Sequence, residues 1–518
     1  MKKIFVCALA LLTCLTFSAC SDDLNIEKLG NLGSTDDFYK TDNDAEQAIT
    51  ACYTDLGTIF EPIKAIDDLL SDDVWCGGGN RNDNAQRETI GDYTFGSTNE
   101  LIQQTYEGLY TMIYHANLML QKFERYDTPV KKRDQAEAYF FRGLAHFYLG
   151  AYFGTAPVVD HLLEPSEYAK TNSTREQLYT QAAADLKAAI GSESLSRKTA
   201  LDTKLARISK EAAQAFLGKV LVFAENYTEA AQNLNEVINS GLYRLNTTMP
   251  YENLLHAGAD FDAEHVLEWN AVADYANYTQ ILSLYYIYRG FRGEFFNWNA
   301  TDSQITNVSN SSYGFFNPTE DLYNAFVKEE GTDGYRLNQS IKTVRQIADM
   351  GITLALGKTL HGNEGYFNWK QRMLNTDFII FGLFPTVNRL WMSYAEVLLL
   401  AAEANLQAGD KPEALKALNA IRQRAKLPVK TDLTMDDIKT EKRLELWGLG
   451  TRWMDLVRWG DAAGRLNGKG KEMPGFNGRK IVEYANPDAG FKSDKNEMLP
   501  IPDQEIKLNK NMKQNKGY

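Results

Sequence analysis

Cysteine and histidine are scarce in this chain of 518 residues, with five of one and six of the other. Cys7 and Cys14 fall in an apolar N-terminal stretch and Cys20 at its end. Only Cys52 and Cys76 remain in the body, and their spacing does not say whether they pair. A disulfide framework is therefore excluded. His115, His146, His161, His256, His265 and His361 are scattered, and neither CxxC nor HExxH occurs, so no metal site is expected. A GxSxG elbow and a P-loop are missing too; Gly77-Gly78-Gly79 lacks a following Lys-Ser/Thr and reads as a turn. Positive charge is in deficit, 55 Lys+Arg against 68 Asp+Glu giving −13, which argues against nucleic acid as a partner. Beyond the N-terminus no apolar run approaches membrane-spanning length.

Apolar residues, at 44%, are plentiful enough for a large globular core. The 8 Trp, 27 Tyr and 25 Phe exceed what most cores of this size need, so some are expected on the surface. Lys2 and Lys3 precede the apolar run Ile4 to Phe17, which is too short for a hydrocarbon core of ~30 Å and reads as a signal peptide over 1–19. Small residues, Ser18 and Ala19, stand directly before Cys20, an arrangement that resembles a bacterial lipobox. Cys20 is thus the expected lipidation site, and two or three acyl chains would anchor the chain stably. Residues 20–35 form the expected tether.

Helical periodicity dominates both ends of the chain beyond this tether. Asn43 with Glu46 makes a candidate capping box before Ala48, Ile49, Ala51, Cys52 and Leu56. A loop-like stretch over 71–99 interrupts, and helical patterns return at 101–123, 134–153, 174–190 and 209–240. Gly218, then Ala230 twelve residues later, with Leu221, Leu234 and Val237, occupy the interface offsets of a tetratricopeptide repeat. Ala402, Ala414, Leu418 and Ile421 repeat the arrangement, and 135–190 reads as a third copy with a long insertion. Such helix pairs bury a continuous core only by stacking, so three or four should pack together. Residues 245–385 between them are dense in Tyr, Phe, Trp, Asn and Gly, and loops this long usually carry function.

No constellation for catalysis emerges. Asp67-Asp68 and Asp72-Asp73 could supply glycosidase carboxylates, but those stand roughly 5–10 Å apart in space, which adjacency does not provide. Capping or solvated acids are the simpler reading. His146, in an aromatic helix, reads as a hydrogen-bonded core residue. Sugar binding makes demands that this composition meets: apolar pyranose faces stack on Trp and Tyr, and hydroxyls want Asn, Asp and Arg. Trp75, Asn80, Arg81, Asp83, Tyr275, Tyr278 and Trp298 form the expected platform. Arg81, Arg289 and Arg292 hint at an anionic sugar.

Several blocks then match a known family. Ala138-Tyr139-Phe140-Phe141-Arg142-Gly143-Leu144-Ala145-His146-Phe147-Tyr148 with Phe153-Gly154-Thr155-Ala156-Pro157 resembles the N-terminal signature of SusD/RagB proteins. Arg389 to Val397, Leu418 to Ala425, Glu441 to Leu446 and Arg452-Trp453-Met454-Asp455-Leu456-Val457-Arg458-Trp459-Gly460 resemble its C-terminal blocks, and Leu499-Pro500-Ile501-Pro502 its closing segment. The resemblance implies a mainly α, SusD-like fold with a tetratricopeptide-like helix-pair scaffold and long irregular ligand-binding loops. Its regions would be 36–240, a loop-rich aromatic part at 241–385, and 386–518. It also implies a non-catalytic, cofactor-free lipoprotein on the outer surface of a Bacteroidetes cell, which captures oligosaccharide for a SusC-like TonB-dependent transporter; peptide capture, as in RagB-type relatives, is the alternative. Arg443, Glu445, Arg452, Asp455 and Arg458 are expected to form a partly buried ion-pair network between C-terminal helices.

Overall fold

The computed structural model describes residues 38–271, 284–299, 303–378 and 384–518; Cys20, Tyr275 and Tyr278 lie outside them. Helix α1 (Asp42–Leu70) starts earlier than the Asn43/Glu46 box would have it. Thr41 is the N-cap, its hydroxyl accepting from the Asp44 N–H at 3.2 Å while the Asp44 carboxylate takes the Thr41 N–H at 2.7 Å. Glu46 is drawn away from the helix end by Arg207, at 2.6 Å, and by Arg133. Nor is the stretch after α1 only a loop: it holds strand β1 (Val74–Gly77) and a short helix, Ala85–Gly91.

The remaining scaffold helices are α2 (Glu100–Lys122), α3 (Pro129–Tyr148), α4 (Arg175–Gly191), α5 (Lys210–Phe223), α6 (Tyr227–Asn239), α7 (Tyr394–Gln407), α8 (Lys411–Arg424), α9 (Met435–Leu446) and α10 (Arg452–Arg458). They pack as four consecutive pairs, α1/α2, α3/α4, α5/α6 and α7/α8, with each pair seated on the next and α9 against α7. The first pair carries no repeat signature that periodicity detects. The 134–153 pattern resolves into α3 and a π-helical turn, Leu149–Phe153.

Close approach within a pair depends on a missing side chain. A Cβ at Gly218 of α5 would lie 2.5 Å from Cγ of Leu234 in α6, and one at Gly143 of α3 would lie 3.0 Å from the Ala182 carbonyl in α4. Gly218→Val is therefore expected to destabilise the chain by roughly 1–3 kcal/mol through overpacking. Chemical denaturation would check this, with unchanged stability counting against so tight a pair.

The Arg142/His146 motif stitches α3 to α4 and to the inserted segment. Arg142 grips Asp185 with Nε at 2.9 Å and Nη2 at 2.6 Å, and its Nη1 reaches Asn117 at 2.7 Å. His146 is fully buried; its Nδ1 donates to the Arg142 carbonyl at 2.9 Å and its Nε2 accepts the Val159 N–H at 3.2 Å. That acceptor role requires a neutral ring, and burial pushes its pKa down to about 4. A folded-state pKa below the unfolded one means the unfolded chain binds the proton first. Stability is thus lost as pH falls from about 6.5 toward 4, about 2 kcal/mol of it by pH 5. Urea midpoints at pH 7 and pH 5 should converge in His146→Asn relative to the parent chain.

The acid pairs at the end of α1 dock the C-terminal blocks. Asp67 accepts the N–H groups of Trp453 and Met454, both at 3.0 Å, and so caps α10. Asp68 takes the Gly450 N–H and Arg289, each at 2.9 Å. Asp72 is held by both Nε and Nη2 of Arg452, at 2.8 and 3.0 Å, and Asp73 by Arg443 Nε at 2.7 Å. These four are structural carboxylates. Cys52 and Cys76 are buried free thiols.

Candidate functional site

Strand β1 pairs antiparallel with β2 (Phe315–Pro318), placing Trp75 opposite Asn317. Alternation buries Val74 and Cys76 on one face and turns half-buried Trp75 to the other. Trp75 there enters a groove of about 770 Å³. Its indole N–H donates to Glu364 Oε2 at 2.9 Å, the same oxygen accepting the Glu320 N–H at 2.7 Å. Lys480 closes the cluster, 2.6 Å from Glu364 and 2.7 Å from Glu320. The ring edge is therefore fixed, which pre-organises its face for an apolar partner.

The far side of the groove comes from the C-terminal part, with Arg465 bonded to Asp72 at 2.8 Å and Asp321 at 2.6 Å. Strands β3 (Glu472–Phe476) and β4 (Lys480–Ala485) form a hairpin that contributes Glu472, Ile481 and Val482. The amides of Asn324 and Asn467 and the carboxylate of Glu472 project here with no side-chain partner among the described residues. Fixed aromatic face, apolar rim and spare amide groups make a surface suited to a polyhydroxylated ligand.

The other expected residues are distributed differently. Arg81 turns inward, bonded to Glu88 at 3.1 Å and Asp92 at 3.0 Å, with its guanidinium 3.8 Å over the Tyr484 ring. Asn80 is exposed. Asp83 accepts the Gly79 N–H at 2.8 Å and pairs with Arg292 at 2.6 Å, which holds the turn after β1 in place. Trp298 is half-buried in a second aromatic cluster, edge-on to Phe291 at 5.7 Å. The structure thus joins Asp83 through Arg292 to the neighbourhood of Phe291 and Trp298, while Trp75 faces the groove with Glu364.

The three arginines behind the anionic-sugar hint are all engaged in ion pairs. Arg289 has no exposed surface and is spent on Asp68, with Tyr285 and Phe316 rings 3.8 and 4.0 Å from its guanidinium. Arg81 and Arg292 are likewise in ion pairs, Arg292 also with Glu294 at 2.5 Å. Sequence reasoning missed Glu320, Asn324, Glu364, Asn467, Glu472 and Lys480, which come from four separate segments and carry no motif.

Comparison with known proteins agrees with this architecture. The family described as "Starch-binding associating with outer membrane" matches residues 36–222, and the one described as "SusD family" matches 385–518. SusD-like protein P2 of Formosa agariphila is 25% identical, with 100% of both chains covered. A solved laminarin-binding SusD-like protein is 26% identical, covering 93% of this chain and 100% of its own, with a TM-score of 0.77. Surface glycan-binding protein A from Bacteroides thetaiotaomicron, solved with laminarihexaose, shares the fold at 20% identity over 92% of this chain and 99% of its own, TM-score 0.72. With both ends of the chain matched, and 93% of its length superposing on a solved SusD-like protein, the chain belongs to the SusD/RagB family of outer-membrane-associated binding proteins, which are not catalysts.

Proposed function

We propose that the chain is a lipid-anchored surface protein that captures oligosaccharide in the Trp75 groove and passes it to a SusC-like TonB-dependent transporter. The observation that carries this reading is the Trp75 ring, tethered at 2.9 Å to Glu364 and facing a groove with unpartnered amides. A stacked pyranose would lie on the ring, with Asn324 and Asn467 supplying donors and acceptors to its hydroxyls. Asn80, Asp83 and Trp298, with Tyr275 and Tyr278, would extend contact along a longer glycan, and Arg81 would hold the turn rather than touch ligand. The 26%-identical relative named for laminarin binding supports a glycan as the ligand class. Attachment through Cys20 would keep the groove at the cell surface.

Calorimetric titration of the full chain, in a detergent without a sugar headgroup, tests the reading. Neutral and acidic oligosaccharides of plant, host and microbial origin are compared with a peptide digest. Saturable heat with one sugar class is expected. Binding to the peptide digest alone would overturn glycan capture.

A further inference from the structure

The groove that Trp75 enters has a distinctive arrangement of charge. Five carboxylates and three basic side chains line it, so its own balance is −2. More telling than the balance is that each cation lining it already has a partner among the described residues. Arg465 is shared between Asp72 and Asp321, and Lys480 between Glu320 and Glu364. Lys469 donates to the carbonyls of Leu69, at 2.6 Å, and Ser71, and burial lowers its pKa to about 8. Glu472, by contrast, stands exposed with no cation on it among the described residues. At the neighbouring turn Arg81 and Arg292 are paired with Glu88, Asp92, Asp83 and Glu294. The internal sequence outside the described residues, 272–283, 300–302 and 379–383, holds no Lys or Arg and adds only Asp274 and Asp302.

Recognition of a uronate or sulfate needs a cation free to form charge-assisted hydrogen bonds. Here an incoming anion would have to share a cation with the carboxylates or carbonyls that already hold it, or sit unpaired beside Glu472, and the surrounding field of a chain at −13 opposes both. Neutral hydroxyls meet no such obstacle: Glu472 accepts from them, and Asn324 and Asn467 both donate and accept. Resting on the glycan-capture reading, we propose that the Trp75 groove selects uncharged oligosaccharides and rejects those bearing carboxylate or sulfate.

The test pairs chains of equal length, neutral gluco-, manno-, galacto- and xylo-hexaoses against hexauronates and sulfated hexaoses, titrated into the full chain at 50 and 500 mM NaCl. At 50 mM the tightest neutral hexaose is expected to bind at least tenfold more tightly than any acidic one. At 500 mM that gap should narrow, because salt screens repulsion between exposed charges. Glu472→Gln should raise affinity for the acidic sugars several-fold at low salt. An acidic hexaose that binds as tightly as the neutral ones at 50 mM, or that binds more weakly as salt rises, would overturn the selection while leaving glycan capture intact. Silence from both classes would overturn glycan capture itself, and the selection with it.

Discussion

Trp75→Ala is expected to weaken oligosaccharide binding about 30-fold, which corresponds to roughly 2 kcal/mol for the loss of a central aromatic contact. Trp75 lies on a short strand whose alternate residues, Val74 and Cys76, are buried and whose backbone is paired to Phe315–Pro318. Its N–H is bonded to Glu364, itself fixed by the Glu320 N–H and Lys480, so ordering the ring on binding has little entropic penalty. Trp75→Phe keeps an aromatic face but loses the N–H tether, and should fall between the parent and the alanine variant. Because the ring is only half-buried, both variants should unfold near the parent midpoint. Equal affinity in all three chains would show that sugar binds elsewhere, with the aromatic cluster around Trp298 the next place to look.

What the sequence disclosed divides along a physical line. Elements whose information is local were legible: repeat offsets at Gly218 and Ala230 marked a pair of helices, and Leu234 indeed packs where a side chain on Gly218 would lie. Competition from distant residues explains the misplaced start of α1, where Asn43 and Glu46 have the right spacing but Glu46 is taken by Arg133 and Arg207. The ion-pair character of the C-terminal block was legible too, yet not its partners: Arg443 and Arg452 find Asp73 and Asp72, some 370 residues earlier. The candidate site was the least legible part. Trp75 stands out by its neighbours, but Glu364, Asn324 and Asn467 are ordinary residues that only the tertiary fold gathers around it. Arg81 shows the converse, a residue type suited to sugar that the fold spends on Glu88 and Asp92.

The most damaging single change is expected far from the groove. Arg336, in the short helix Tyr335–Ser340, has no exposed surface and forms ion pairs with Glu330 at 2.8 Å, Glu441 at 2.8 Å and Glu445 at 2.7 Å. Glu441 and Glu445 belong to α9, and Arg422 and Arg424 of α8 complete the cluster, so Arg336 pins the aromatic region to the scaffold that positions the groove. Arg336→Met would leave three buried carboxylates short of a cation, at a cost of about 3–5 kcal/mol in unfolding free energy. Most of that loss is an unpaired charge rather than missing packing, so adding Glu330→Gln in the same chain should recover part of it. Denaturant titration of the parent, single and double variants separates the two contributions: a double variant no more stable than Arg336→Met would mean that shape, not charge, is what Arg336 supplies between the two regions.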